Sequence, residues 1–201
     1  RSRLAQRVAE VYRRVADQTF KETEKTALDK ADRQFLEIPH VMTQKGEEAR
    51  ARLIARGFQE EAEFPSDSPT LQKANLRTIL AIAAANDWEI TATDIKSAFL
   101  QGSELEREVF VKPPKEANLN GKLWKLNKCL YGLKDASRAW YNKVEAKLKK
   151  AGFQKSSHDA GLFFLIRNGK LVGLVGIHVD DFISAGNFEF TNHIIPKALS
   201  V

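Results

Sequence analysis

The sequence predicts an α+β fold, and three observations carry that expectation. Helix-period stretches flanked by capping residues alternate with period-2 or continuously apolar runs. A strong hairpin signal stands at Asn168-Gly169, and no internal repeat or low-complexity tract interrupts the 201 residues. Apolar residues make up 43% and charged residues 29%, the usage of a globular chain with a sizeable core.

Residues 1–38 contain neither glycine nor proline, and Leu4, Val8, Val11, Tyr12 and Val15 recur at helical spacing. The acids interleaved there favour a solvated helix over a nucleic-acid or membrane arm. Beyond Asp17 the periodicity fades. Residues 49–58 alternate as a strand with Arg50, Arg52 and Arg56 on one side, and residues 60–70 read as a polar loop. Ser68-Pro69 offers an N-cap and first residue for a helix that buries Leu71, Leu76, Ile79, Leu80 and Ala83 and ends near Asn86.

Residues 88–95 read as a strand on which Trp88, Ile90, Ala92 and Asp94 share a face. An acid at the end of an apolar face is costly unless something pairs with it or binds it. Short strands over 109–112 and 123–126 flank a turn-rich loop with Pro113-Pro114 and Asn120-Gly121. A second helix starts at Asp135 or Ser137, buries Trp140, Val144 and Leu148, and is capped by Gly152. Residues 162–166 and 171–179 form a hairpin around Asn168-Gly169; Asp180-Asp181 then interrupts, and residues 182–185 return as a strand.

With 32 Lys+Arg against 26 Asp+Glu, the net charge is +6, which favours polyanionic partners through non-specific attraction. The single cysteine, Cys129, excludes an internal disulfide framework and a cysteine-rich zinc module. Neither a signal peptide nor a membrane-length apolar stretch is visible, so the expectation is a soluble, intracellular chain with no membrane partner. His40, His158, His178 and His193 are scattered without metal-ligand spacing. The acids carry more. If the strand ending in Asp94 neighbours the one interrupted by Asp180-Asp181, three carboxylates converge at one sheet end. Such a cluster repels itself unless hard cations neutralise it, and oxygen-only ligands select magnesium. Adjacent strand residues point to opposite faces, so Asp180 and Asp181 both reach the site only if the chain turns there. The competing reading is a polar hairpin turn.

Three blocks carry a resemblance. They are Asp94-Ile95-Lys96-Ser97-Ala98-Phe99-Leu100-Gln101-Gly102, Leu130-Tyr131-Gly132-Leu133-Lys134-Asp135-Ala136-Ser137-Arg138-Ala139-Trp140-Tyr141, and His178-Val179-Asp180-Asp181. In order and spacing they resemble the core motifs of the reverse transcriptase of Ty1/copia-type LTR retrotransposons. Ala51-Arg52-Leu53-Ile54-Ala55-Arg56-Gly57-Phe58 and Asp67-Ser68-Pro69-Thr70 resemble its upstream signatures, and the likeness covers residues 41–188. The resemblance implies a right-hand polymerase fold, fingers and palm with a ferredoxin-like palm sheet, truncated before the thumb. Its expected organisation is an N-terminal helical segment over 1–40, the fingers–palm domain over 41–190, and a truncated tail over 191–201.

The same resemblance implies Asp94 and Asp180 as ligands of two catalytic magnesium ions, with manganese as a substitute, and Asp181 as the third acid. Phe99 matches the ring that blocks a ribose 2′-hydroxyl; without the motif it reads as a core phenylalanine. Tyr131, Gly132 and Lys134 match the loop against the incoming nucleotide. Arg52 is the match for a triphosphate contact, with Arg50 and Arg56 as alternatives because the alignment can slip by a residue. His178 stands where the family usually has an aromatic residue, and Asp135 and Ser137 replace glutamine and proline. The implied partners are an RNA or DNA template–primer, a deoxynucleoside triphosphate, and the remaining Pol polyprotein with thumb, RNase H and integrase. The parent element would act in a cytoplasmic virus-like particle or the nucleus. The chain ends at Val201, 20 residues after Asp181. The isolated fragment is therefore expected to grip duplex weakly and to be inactive. Two rivals stand beside the polymerase. One is an inert remnant that at most binds nucleic acid; the other is a different two-metal phosphoryl transferase such as a nuclease, in which Phe99, Tyr131 and Lys134 have no role.

Overall fold

The computed structural model describes residues 20–24, 35–37, 40–45, 48–61, 65–113 and 122–199. The helix expected around Leu4 to Val15 and the Asn120-Gly121 turn lie outside the described residues. In chain order, strands β1 (Phe20–Glu24), β2 (Phe35–Glu37), β3 (His40–Lys45) and β4 (Glu48–Leu53) precede helix α1 (Lys73–Asn86) and strand β5 (Glu89–Asp94). Strands β6 (Phe110–Lys112) and β7 (Lys122–Leu126), helix α2 (Ala136–Lys150) and strands β8 (Gln154–Lys155), β9 (Leu162–Arg167), β10 (Lys170–His178) and β11 (Asp181–Gly186) follow. A π-helical turn, Phe190–Ile194, continues as α3 (Ile195–Leu199). The architecture is mixed α and β, as the composition of elements predicts. No helix among the described residues is long and apolar enough to cross a membrane.

The chain divides into two compact units, 1–66 with 99–136, and 67–98 with 137–201. The first holds a four-stranded sheet in the order β1-β7-β6-β2 and the separate β3–β4 hairpin. Pairing is antiparallel for β1–β7 and β6–β7 and parallel for β2–β6. Val111, Leu123 and Leu126 are all but fully buried there. The helical reading of residues 1–40 does not extend to Phe20–Glu24 and Phe35–Glu37. Those stretches are strands because β7 and β6, far along the chain, supply their hydrogen-bond partners. The strand read over 49–58 stops at Leu53. Beyond it, Ala55 N–H donates to the Tyr131 carbonyl at 2.7 Å, turning the chain out of the ladder.

The second unit is a five-stranded antiparallel sheet in the order β5-β11-β10-β9-β8. The β9–β10 hairpin turns at Asn168 (φ 51°) and Gly169 (φ 73°), two positive values as a type I′ turn requires. Helix α1 covers one face, packing Ile79 and Ala83 on Leu174 and Ala185, with Leu71, Trp88 and Ile183 around them. On the other face Trp140 and Val144 of α2 meet Phe182, Ala198 and Leu199 around a small void. Gly173 and Gly186 pair directly across β10 and β11, and a Cβ on either would lie 2.4 or 2.3 Å from the Phe190 ring. The two glycines thus leave a slot that Phe190 fills, a burial worth about 1.5–3 kcal/mol. Residues 191–199 of the expected tail are therefore helical and seated.

Helix α1 begins at Lys73, four residues later than Ser68-Pro69 suggested. The reason is tertiary. Leu71 N–H donates to the Ile177 carbonyl at 2.7 Å, holding the chain extended along β10. The buried Asp159 carboxylate then accepts from the backbone N–H of the N-cap residue Gln72 (3.0 Å) and from Asn75 Nδ2 (2.7 Å), pinning the start of the helix from outside it. Burial pushes the Asp159 carboxyl up, but hydrogen bonds from Asn75, Gln72 and Gly161 outweigh it and hold the group below its usual range. Leu80, expected inside, is 40% exposed. Helix α2 ends as expected, with Gly152 at φ 92°.

Candidate active site

In the second unit β5 and β11 are neighbours, and their register places Asp94 directly opposite Asp181. Cross-strand partners share a face with Cβ atoms roughly 4.5–5.5 Å apart, and like charges so placed destabilise the pair unless a cation intervenes. His178 pairs with Asp181 on the other side, so His178, Asp181 and Asp94 form a row across β10, β11 and β5. All three line a cleft of about 800 Å³ whose walls include Leu71, Leu76, Ala92 and Ile183.

The His178–Asp181 pair closes a two-residue turn made of Val179 and Asp180. Asp180 is thus a central residue of the turn and Asp181 the first of β11; Asp94 and Asp181 line the cleft, and Asp180 is not among the described residues that do. Val179 has φ 60°, the pattern of a type II′ turn, in which the first central position normally takes glycine. A β-branched residue held there costs on the order of 1–3 kcal/mol. The Ile95 N–H donates to the Asp180 carbonyl at 3.0 Å, and Trp140 Nε1–H to the Val179 carbonyl at 2.8 Å.

Among the described residues no lysine or arginine forms an ion pair with Asp94, Asp180 or Asp181. Nor are three His, Cys, Asp or Glu side chains gathered there into a ready ligand sphere. The donor chemistry nevertheless fits a hard divalent cation. The two facing carboxylates and a third in the adjoining turn offer oxygen only, and magnesium commonly takes one or two carboxylates and completes its shell with water and substrate phosphate.

The other candidates belong to the first unit. Phe99 sits in a 3₁₀ turn, Ala98–Gln101, and meets the Tyr131 ring edge-on at 4.9 Å and 67°. Gly132 has φ 91°, and a Cβ there would lie 2.1 Å from the Ala55 carbonyl oxygen. The close backbone approach that glycine permits is thus to the chain's own backbone. Lys134 N–H donates to Glu60 Oε2 at 2.8 Å, and its ammonium donates to the Glu60 carbonyl at 2.6 Å. Arg52 lies in β4 opposite Val41, but its side chain and that of Arg50 lie outside the described residues. Arg56 is paired with Glu37.

Glu60 and Arg107 are what the sequence reading missed. Arg107 stands 2.7 Å from Glu60 Oε1 and grips Asp135 with two bonds, Nε to Oδ2 at 3.1 Å and Nη2 to Oδ1 at 2.8 Å. Burial works against the Arg107 charge, but the Asp135 and Glu60 carboxylates outweigh it and raise its pKa. Asp135, an unusual acid in its block, is therefore neutralised within the unit. No local signal marks this network, because 74 residues separate Glu60 from Lys134 and 28 separate Arg107 from Asp135. Beside it, burial pushes the Cys129 thiol up to about 12.

The family model described as reverse transcriptase (RNA-dependent DNA polymerase) matches residues 31–197. The chain is also similar to the retrovirus-related Pol polyprotein from transposon TNT 1-94 of Nicotiana tabacum. They are 35% identical over 143 residues, covering 68% of this chain and 11% of that protein. The corresponding polyproteins from transposons RE1 and RE2 of Arabidopsis thaliana are 34% and 32% identical, each over 143 residues, 69% of this chain and 10% of theirs. The chain spans about a tenth of the length of the curated relatives it matches.

Proposed function

Starting from a chain that belongs to the reverse transcriptase (RNA-dependent DNA polymerase) family of copia-type retrotransposon Pol polyproteins, we propose that it carries the catalytic carboxylates of an RNA-directed DNA polymerase. In that reaction a primer 3′-hydroxyl attacks the α-phosphorus of a deoxynucleoside triphosphate, and pyrophosphate leaves. The observation that carries the reading is the register of β5 on β11, which sets Asp94 against Asp181 with Asp180 in the adjoining turn.

On this reading Asp94, Asp180 and Asp181 hold the cations. The chemistry supplied by two bound magnesium ions, or manganese in their place, is a lowered hydroxyl pKa and stabilisation of charge on the leaving pyrophosphate. Asp94 and Asp181 are positioned by a strand ladder, the more exact kind of support for a reacting group. Phe99, braced edge-on by Tyr131, acts as the wall against a ribose 2′-hydroxyl. By the family resemblance the Tyr131–Lys134 loop, anchored through Glu60, and the Arg52 position serve the incoming nucleotide. The net charge of +6 suits a template–primer, with the rest of the Pol polyprotein as its covalent partner.

The test is primer extension on a primed RNA template with magnesium, using this chain extended to the length of its relatives. RNA-templated incorporation of deoxynucleotides is expected, and its absence sinks the proposal. Phe99→Ala should retain extension but admit ribonucleotides. Unchanged sugar discrimination returns Phe99 to a core ring.

A further inference from the structure

The turn that carries Asp180 has a conformation valine resists. Val179 sits at φ 60° in the first central position of the β10–β11 turn, where glycine is the usual residue. Two hydrogen bonds from outside the hairpin hold it there. The Ile95 N–H, one residue after Asp94, donates to the Asp180 carbonyl at 3.0 Å. The Trp140 indole N–H donates to the Val179 carbonyl at 2.8 Å, from 39 residues away. Trp140 is only 1% exposed and shares a packed void with Val144 and Phe182, so its ring cannot swing to follow a moving turn. An indole has one donor and no acceptor, and here that donor is aimed at the strained peptide of the turn.

We propose that Trp140 is a positioning residue for the carboxylate site: its indole N–H locks the Val179–Asp180 turn in its strained form and so fixes where Asp180 stands in the turn that leads into Asp181. The inference rests on the metal-binding reading above. Without the bond, Val179 relaxes towards negative φ. That rotates the peptide joining it to Asp180 and carries the Asp180 carboxylate off its place, while Asp94 and Asp181 stay fixed by the ladder. Partners that orient metal ligands without touching the metal typically change affinity about 10–100-fold when removed.

The test uses the 201-residue chain and manganese ion alone, with binding read by electron paramagnetic resonance. Trp140→Phe keeps a six-membered aromatic ring there and removes the donor together with the five-membered half of the indole. It should weaken manganese binding about tenfold or more. Adding Val179→Gly should restore most of that loss, because glycine adopts positive φ without strain and the turn no longer needs the lock. A packing role alone predicts a less stable Trp140→Phe protein whose folded fraction binds manganese as wild type does, with no rescue by Val179→Gly; that result overturns the proposal. Wild-type binding with unchanged Trp140→Phe binding overturns this proposal alone, whereas a wild-type chain that binds no manganese overturns the metal reading beneath it. Should Trp140→Phe fail to fold, hydrogen exchange of the wild-type indole decides. Slow exchange is expected of a donor held by the turn, and exchange at the rate of a free indole overturns the lock.

Discussion

Arg107→Ala removes the one cation shown between Glu60 and Asp135. The side chains of Glu60, Asp135 and Arg107 are 5%, 20% and 24% exposed, too little for solvent to screen the group effectively. Truncating one partner of a buried pair strands the other charge and costs about 3–5 kcal/mol. Glu60 keeps the Lys134 N–H at 2.8 Å, and Asp135 is the more exposed of the two acids, so the lower end, about 3 kcal/mol, is expected. That is roughly a hundredfold in the folding equilibrium, and about 6–12 °C in Tm for a chain of this size. Urea unfolding measures the total, and hydrogen exchange at the Lys134 amide reports whether the loop from Tyr131 loosens with it. Arg107→Lys keeps the charge but not the fork that holds Asp135 by two bonds, so it should fall between the two. A cost for Arg107→Ala within about 0.5 kcal/mol of zero, with the Lys134 amide still protected, would refute the reasoning.

Gly132→Ala should destabilise by at least about 2 kcal/mol, since the new Cβ meets the Ala55 carbonyl oxygen at 2.1 Å and φ is 91°. A neutral result in urea unfolding contradicts that packing. Burial pushes the Glu145 carboxyl up, but hydrogen bonds from Lys149 and Lys155 outweigh it and hold its pKa at about 2. A depressed carboxyl contributes its stability above its unfolded pKa, about 4.3, and loses it as pH falls through the folded value. Glu145→Gln should therefore be less stable than wild type at pH 7, by about 1 kcal/mol because both lysines are partly exposed, and the gap should close near pH 2. A gap unchanged at pH 2 rules out the ion pairs as its cause.

What the sequence made legible is what neighbouring residues decide. Asn168-Gly169 specified a hairpin because both residues accept positive φ, and Trp140, Val144, Leu148 and Gly152 specified α2 because its stripe and its cap lie within four turns. The shared parity of Ile90, Ala92 and Asp94 put the acid on the face that β11 continues with Ile183 and Ala185, but the expected burial failed: the strand begins after Trp88, and Ile90 is 45% exposed because α1 packs on the neighbouring strands β10 and β11. The interruption at Asp180-Asp181 marked a turn that centres one residue earlier, on Val179 and Asp180. Long-range partners were not legible. Helix α1 starts where Asp159 pins Gln72 and Asn75, and Phe20–Glu24 is a strand because β7 lies beside it. The Glu60–Arg107–Asp135 network and the bond from Trp140 to Val179 likewise join residues that no local pattern connects. In the candidate site, the acids announced themselves and the groups that hold the surrounding turns did not.

The central claim, that the facing carboxylates of β5 and β11 perform magnesium-dependent nucleotide addition, is tested most directly by Asp94→Asn in the chain extended to the length of its relatives. The substitution preserves shape and removes one negative charge from the pair. Primer extension on an RNA template should fall to background, while template–primer binding, which rests on basic side chains, should stay at the wild-type level. Extension at the wild-type rate, or a loss of extension matched by an equal loss of binding, would contradict the account.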